Sequence, residues 1–318
     1  AIPNYNGGEK LRRAIESCKN IALDEEKFEI KVLDNKSEDN SVDIVKELQG
    51  DFSNLRLNQN KKNLGRIGNW NKCIEESSGR YMIFLFVNEQ ISPQNNIDQI
   101  IKELESRELP FAKSSHVNLS ETKSKEKRNN FQEQSVRRRL RRDIFWKGSF
   151  SFGPLQTYVF RTKILEKYEQ SFKEEYDIIG DQDFVIDLGR KIYKKEGEDL
   201  FLATNSRNIV WDDETDRFNK KYDNSDDIRE NLKWYQNENI SDYSRIPSEL
   251  IAFVRLSNIN IYRLLNRISL GKFSDRLSRK PIKDHLGWKY TFLLITSYFY
   301  VISWARIGLD IYDEILSR

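Results

Sequence analysis

From Tyr81 to Val87 the chain reads Tyr-Met-Ile-Phe-Leu-Phe-Val with no polar side chain beyond the tyrosine hydroxyl, and then meets Asn88 and Glu89. A run this continuous predicts a strand buried on both faces, as in the middle of a parallel sheet. Ligands of open α/β sheets sit beyond the carboxyl ends of the strands, so Asn88 and Glu89 fall where chemistry is expected. Upstream, Pro3 to Gly8 is a turn cluster, and apolar spacing through Leu11, Ala14, Ile15, Cys18 and Ile21 predicts a helix. Phe28 to Leu33 alternates into a second strand ending at Asp34, and Val42 to Leu48 reads as the next helix. Leu55-Arg56-Leu57 is a short third strand, and the loop through Asn63, Gly65 and Gly68 feeds a helix that ends near Gly79. Strand, turn and helix in repeated succession imply a parallel sheet of α/β type.

The 318 residues are 38% hydrophobic, enough to bury one large core or two smaller ones, and disorder is not expected. With 53 basic against 50 acidic residues, the formal charge of +3 offers no general attraction to nucleic acid. Cys18 and Cys73 make neither a disulfide framework nor a metal motif, and only His116 and His285 are available for a histidine-rich zinc site. The N-terminus lacks a basic-then-apolar signal pattern and opens as though a first strand had been clipped, so a reducing, cytoplasmic setting is the expectation.

The order of these elements, and the residues in them, resemble the family-two inverting glycosyltransferases of the GT-A type over about residues 1–190. The pieces that carry the resemblance are Ile2-Pro3-Asn4-Tyr5-Asn6, Leu33 to Ser41, Asn63-Leu64-Gly65, Gly79-Arg80-Tyr81 with Phe84-Leu85, Gly153-Pro154 with Val159-Phe160-Arg161, and Gly180-Asp181-Gln182-Asp183. The resemblance implies a Rossmann-like, mostly parallel sheet flanked by helices. It implies a transferase domain over 1–215, with a nucleotide-binding half 1–90 and an acceptor half 91–215, followed by a helical extension over 216–318. It also implies transfer of a sugar, with inversion, from a nucleotide-sugar donor, a UDP-sugar favoured, to a saccharide or lipid-linked acceptor. A non-catalytic relative that binds a nucleotide sugar or a partner protein is the alternative.

Asp34, at the end of a buried strand, can accept hydrogen bonds from a uracil imide or ribose hydroxyls, and the resemblance assigns it to the base; it can equally cap the following helix. Tyr5 offers a flat face for that base beside Pro3, or else is a buried aromatic under the first helix. Arg66 and Lys72 flank a glycine-containing loop at a helix start, where basic side chains and backbone amides meet diphosphates, unless they lie on a solvated face. Asn63 is a neutral contact to donor sugar or nucleotide. Asp181, at a helix N-terminus, suits a general base, with Asp183 second, although capping that helix explains it too.

The family's Asp-x-Asp metal motif falls at Phe86-Val87-Asn88, leaving Asn88 and Glu89 as the metal-site candidates. A manganese or magnesium ion on a diphosphate wants hard, negative oxygens, and one amide with one carboxylate is a poor set. Three readings follow: weak metal binding through Asn88, Glu89 and phosphate, replacement of the metal by basic side chains, or lost activity. Phe111 to Lys147, rich in lysine and arginine, reads as a variable segment that holds an anionic acceptor or forms a surface helix. The uncharged run Tyr290 to Ala305 is shorter than the ~20 residues of a spanning helix. It suits either an interfacial membrane contact or packing against the catalytic domain or a second subunit. Peripheral attachment at the inner face of the membrane is the matching expectation.

Overall fold

The computed structural model describes residues 1–118, 130–140, 152, 154–211, 230 and 234. The chain divides into two compact units, Ala1–Val136 with Phe152–Arg217, and Arg137–Ser151 with Phe218–Arg318. The site lies in the first. Its first half runs β1 (Ile2–Asn4), α1 (Glu9–Ser17), β2 (Ile30–Asp34), α2 (Ser41–Leu48), β3 (Leu55–Gln59), α3 (Gly65–Glu75). The three strands pair in parallel in the order β1-β2-β3, with Asn4 opposite Asp34 and Asp34 opposite Gln59. That register brings the polar ends of all three strands to one edge.

The second half adds β4 (Tyr81–Met82), β5 (Glu89–Ile91), α4 (Ile97–Ser106), β6 (Phe111–Asn118), β7 (Phe131–Ser135), β8 (Tyr158–Arg161), α5 (Thr162–Lys167), α6 (Gly180–Glu196) and β9 (Leu200–Trp211). Its sheet is mixed, in the order β4-β8-β6-β9-β5, with β6 and β9 parallel and β7 pairing the start of β9. The backbone between the two halves is continuous in hydrogen bonding. The Ala1 amine donates to the Ile83 carbonyl at 2.7 Å, and the Leu85 amide to the Ala1 carbonyl at 3.0 Å. The strand expected over Tyr81 to Val87 is therefore shorter as a ladder: Tyr81 and Met82 pair with β8, Ile83 to Leu85 lie beside β1, and Val87-Asn88 turns. Burial on both faces holds at its centre, where Phe84 and Leu85 are buried toward opposite layers.

Three layers result. α1 and α2 cover one face of the parallel strands, burying Leu11, Ala14, Ile15, Ile44, Val45 and Leu48 on Val32 and Leu85. α4 packs Ile100 and Leu104 on Ala112, Val159 and Leu202 in the other half. The opposite face carries aromatic rings: Trp70 of α3 meets Phe86 at 5.0 Å and Phe172 at 5.2 Å, and Phe184 of α6 stacks on Phe172 at 4.2 Å and meets Phe160 edge-on at 5.5 Å. Such offset and T-shaped pairs add to area burial and fix where α3 and α6 sit. Phe111 to Asn118, read from sequence as the head of a variable segment, is instead a central strand of this sheet, paired with β8 on one side and β9 on the other and burying Phe111, Ala112 and Val117. Of the basic residues after it, Arg137 to Arg139 are helical, whereas Lys123 to Arg128, Arg141 and Arg142 lie outside the described residues, as do the helical extension and the Tyr290 to Ala305 run.

Candidate functional site

Asp34 closes β2 and is 1% exposed. Its Oδ1 accepts from Asn4 Nδ2 at 2.8 Å and Ser37 Oγ at 2.5 Å, and its Oδ2 from the Ser37 amide at 3.1 Å and Gln59 Nε2 at 2.9 Å. Burial alone pushes its pKa up, but the bonds from Ser37, Gln59 and Asn4 outweigh burial and hold the carboxyl below its ordinary range. The acid thus works first on its own chain: it ties the ends of β1 and β3 to the Lys36-Ser37 turn. Asn6 and Lys36 take left-handed backbone there, with φ of 53 and 65 degrees. The two turns are laced further, Asn6 N to Ser37 Oγ at 2.9 Å, Glu38 N to Asn6 Oδ1 at 2.9 Å, and Gly7 N to Ser41 Oγ at 3.1 Å. Between them Tyr5 is 50% exposed at the carboxyl edge of the parallel strands, not buried under α1, while Pro3 is buried within β1.

Amides carry the scaffold onward to α3. Asn35 Nδ2 donates to Asn63 Oδ1 at 2.9 Å and to the Gly65 carbonyl at 3.0 Å, and its Oδ1 accepts from the Leu64 amide at 2.9 Å and Asn60 Nδ2 at 3.1 Å. Asn60 also reaches Asn69 Oδ1 at 2.9 Å, and Asn69 the Leu33 carbonyl at 3.0 Å. Asn63 Oδ1 further accepts the Gly65 amide at 2.8 Å, and Gly65 has φ of 74 degrees, which a side chain would strain. Asn63 therefore braces the loop and remains exposed beside it.

The same first turn of α3 meets the loop before α6. Arg66 Nε donates to Asp177 Oδ1 at 2.9 Å, and its guanidinium lies 4.6 Å over the Trp70 ring. Asn71 exchanges two bonds with the Phe172 backbone, at 2.9 and 2.7 Å. A Cβ on Gly180 would stand 3.5 Å from Ile67 Cδ1, so the start of α6 sits against the start of α3. Asp34, through Asn35, and Asp181, through Arg66 and Gly180, are consequently anchored to one helix terminus.

Asp181, partly exposed in the first turn of α6, accepts the Gln182 amide at 2.8 Å. Burial pushes its pKa above the ordinary carboxyl value, and the Gln182 amide, Arg66 and Lys113 pull the other way. A carboxylate with raised proton affinity at the start of a helix fits proton abstraction. Asp183 faces inward, 2% exposed, with Lys173 Nζ at 3.4 Å, and belongs to the packing of α6.

Two expectations need correction. Lys72 lies about two turns beyond Gly65 and pairs with Glu75 at 2.9 Å and Glu76 at 3.0 Å. Glu76 also takes Asn58 Nδ2 at 3.0 Å, and its carbonyl takes Lys31 from the opening of β2, the end away from Asp34. Lys72 is on the acidic far end of the helix, away from the loop that Arg66 occupies. Glu89, offered with Asn88 for a metal, is 3% exposed; its Oε2 accepts the Phe86 amide at 3.3 Å and its Oε1 accepts Gln156 Nε2. That carboxylate shapes the Phe86 to Glu89 turn. Phe86 itself is packed on Trp70 and Phe84, and no group of three His, Cys, Asp or Glu among the described residues can hold a metal ion. The donor set at Asn88 and Glu89 does not fit a divalent cation.

A parallel half and a mixed half make up an α/β fold, with Arg66 in the first turn of α3, Asp181 in the first turn of α6 and Tyr5 exposed at the carboxyl edge of the parallel strands. The chain belongs to glycosyl transferase family 2, whose sequence model matches residues 1–169, as the resemblance in its motifs implied. It is 29% identical over 102 residues to a dolichyl N-acetyl-alpha-D-glucosaminyl phosphate 3-beta-D-2,3-diacetamido-2,3-dideoxy-beta-D-glucuronosyltransferase of Methanococcus voltae, covering 30% of this chain and 32% of that protein. It is 34% identical over 92 residues to a GalNAc(5)-diNAcBac-PP-undecaprenol beta-1,3-glucosyltransferase of Campylobacter jejuni, covering 28% of this chain and 29% of that one. The matches thus span about a third of the length of these curated relatives. In fold, the chain is similar to S. aureus TarS 1-349 in complex with UDP-GlcNAc, with TM-score 0.61 and 16% identity over 86% of this chain and 75% of that one. It is also similar to the mannosyltransferase PcManGT from Pyrobaculum calidifontis in complex with GDP-Man and Mn2+, with TM-score 0.53 and 12% identity over 94% of this chain and 86% of that one. These likenesses bear out the GT-A fold.

Proposed function

We propose that the protein is an inverting glycosyltransferase that moves a sugar from a UDP-sugar to a saccharide or lipid-linked acceptor, with Asp181 as general base. The observation that carries this reading is the shared anchoring of the Asp34 turn and the Asp181 turn on the first turn of α3. A nucleobase stacks on Tyr5 beside the Asp34 turn, and Arg66 faces the diphosphate at the helix start. An acceptor hydroxyl then attacks the anomeric carbon from the face opposite the diphosphate. Its proton passes to a carboxylate oxygen of Asp181 as the new C–O bond forms, the bond to the diphosphate oxygen breaks, and UDP leaves with the electron pair. The relatives' names support a lipid-linked acceptor, and the TarS complex supports a uridine donor. An acceptor of that kind would place the enzyme at the membrane surface, and on the sequence expectation its cytoplasmic face. The Asn88 and Glu89 donors do not fit a divalent ion, so the charge of the leaving diphosphate falls to Arg66.

The test is a panel of UDP-glucose, UDP-GlcNAc and GDP-mannose, scored by proton NMR for hydrolysis and for the anomeric configuration of the released sugar. Inverted sugar from a UDP donor, lost in Asp181→Asn, supports the reading. Retention of configuration, or no turnover of any donor, overturns it.

A further inference from the structure

The three strands of the parallel half stay paired to their last residues. Asn4 lies opposite Asp34 and Asp34 opposite Gln59, and the bonding continues past the strand ends, from the Asn35 amide to the Asn4 carbonyl and from the Asn60 amide to the Asp34 carbonyl, both at 2.8 Å. Neighbouring strands lie about 4.8 Å apart, so the ends of β1 and β3 stand roughly 10 Å apart with Asp34 between them. Tyr5 follows Asn4 and is half-exposed at one end of this row, and Gln59 is exposed at the other. Asp34, in the middle, has its acceptor sites filled. A carboxylate offers about four lone-pair sites, and here Asn4 Nδ2 and Ser37 Oγ take two on Oδ1 while the Ser37 amide and Gln59 Nε2 take two on Oδ2. A donor arriving on a ligand would have to displace one of them.

Gln59 is differently placed. Its Nε2 gives one N–H to Asp34 Oδ2 at 2.9 Å, and that bond fixes which way the amide faces, because a flipped amide would set Oε1 against a carboxylate oxygen. One N–H and the Oε1 acceptor are left over, and among the described residues neither meets a partner. A uracil ring is the complement of such a pair, since its imide edge carries one N–H donor between two carbonyl acceptors. We propose that Gln59 reads the base: Oε1 accepts from the uracil N3–H and Nε2 donates to an adjacent ring carbonyl, while Asp34 holds the amide in the orientation that does so. This rests on the donor being a UDP-sugar with its base on Tyr5. Asp34 is then a brace for the residue beside it, and the specificity for uracil lies at the end of β3.

The experiment is calorimetry of UDP and of its N3-methylated form on the full chain, in the parent protein, Gln59→Ala and Gln59→Met. Methylation removes the imide donor, so the parent should bind UDP at least about tenfold more tightly than the methylated nucleotide. Gln59→Ala should weaken UDP by about tenfold and bring the two nucleotides within about twofold of each other, because the partner of N3–H is gone. Gln59→Met keeps the length of the side chain without its polar atoms and carries the same test if the alanine variant does not fold. A role confined to steadying Asp34 would weaken both nucleotides alike and leave the gap between them, and that result overturns the proposal. Equal binding of the two nucleotides by the parent, or failure of both variants to fold, overturns it as well. A parent protein that binds no UDP would instead overturn the uridine donor itself.

Discussion

Arg66 and Asp177 are joined by a 2.9 Å hydrogen-bonded ion pair across the two halves of the fold, with Trp70 beneath the guanidinium. The pair fixes the loop that leads into α6, and so where Asp181 stands relative to the Asp34 turn. Arg66→Ala should lower turnover by about 100-fold, because a preorganised cation at a developing charge is lost together with the loop anchor. Asp177→Asn keeps the cation and loosens only the loop, so its loss should appear mainly in kcat, with nucleotide affinity near that of the parent. Steady-state kinetics alongside calorimetry of UDP separates the two; equal effects on affinity would contradict this division.

Asp181→Asn should reduce turnover by ~100- to 10,000-fold while leaving UDP affinity within about threefold. Since burial raises the folded-state pKa of Asp181, and the base must be ionised, the rate should fall as pH drops through a value above the ordinary carboxyl range. A pH–rate profile whose acid limb lies at or below that ordinary range would remove Asp181 from this role.

For Asp34 the sign is reversed. Its folded-state pKa is depressed, so its stabilisation is present above the unfolded carboxyl pKa and is lost as pH falls through the folded value. Asp34→Ala leaves Asn4, Ser37 and Gln59 without their acceptor and should cost about 2–3 kcal/mol at pH 7. Urea titrations at pH 7 and at pH 3 should show that difference shrinking in the acid.

Gly7 approaches the same acid from behind: a Cβ there would come within 2.3 Å of Asn4 Oδ1 and 3.2 Å of Leu11 Cβ and Val87 Cγ1. Gly7→Ala should therefore push Asn4 off Asp34, costing about 1–3 kcal/mol by overpacking and weakening UDP binding about tenfold. Thermal unfolding with and without UDP gives both numbers, and an unchanged UDP response would show that the Asn4 to Asp34 bond does not serve the nucleotide.

UDP should stabilise the protein equally in EDTA and in excess manganese, because Glu89 is committed to Gln156 and Phe86 to the aromatic layer. A melting shift that appears only with manganese would mean that ligands outside the described residues complete a metal site.

Much of the fold was legible because periodicity reports layers. The alternation of strand and helix through Leu57, and the two-sided burial around Phe84 and Leu85, follow from apolar spacing. The ladder over Tyr81 to Val87 was overestimated, since an apolar run marks burial but not which backbone groups have partners. Phe111 to Asn118 was obscured by the lysines and arginines that follow it. Positions at strand ends and helix starts were readable: Asp34 ends β2, Arg66 lies in the first turn of α3 and Asp181 in the first turn of α6. Pairings were not, because Lys72 and Glu89 look like free charges until Glu75, Glu76 and Gln156 fold onto them.

The brace formed by Asn35, Asn60, Asn63 and Asn69 is made of carboxamides, which neither gain nor lose a proton over any pH at which the chain is folded. Asp34 beside them has a depressed pKa and stays ionised in mild acid, whereas the pKa of Asp181 lies above the ordinary carboxyl value. Mild acidification should therefore leave a loaded but idle enzyme, its donor retained and its chemistry paused.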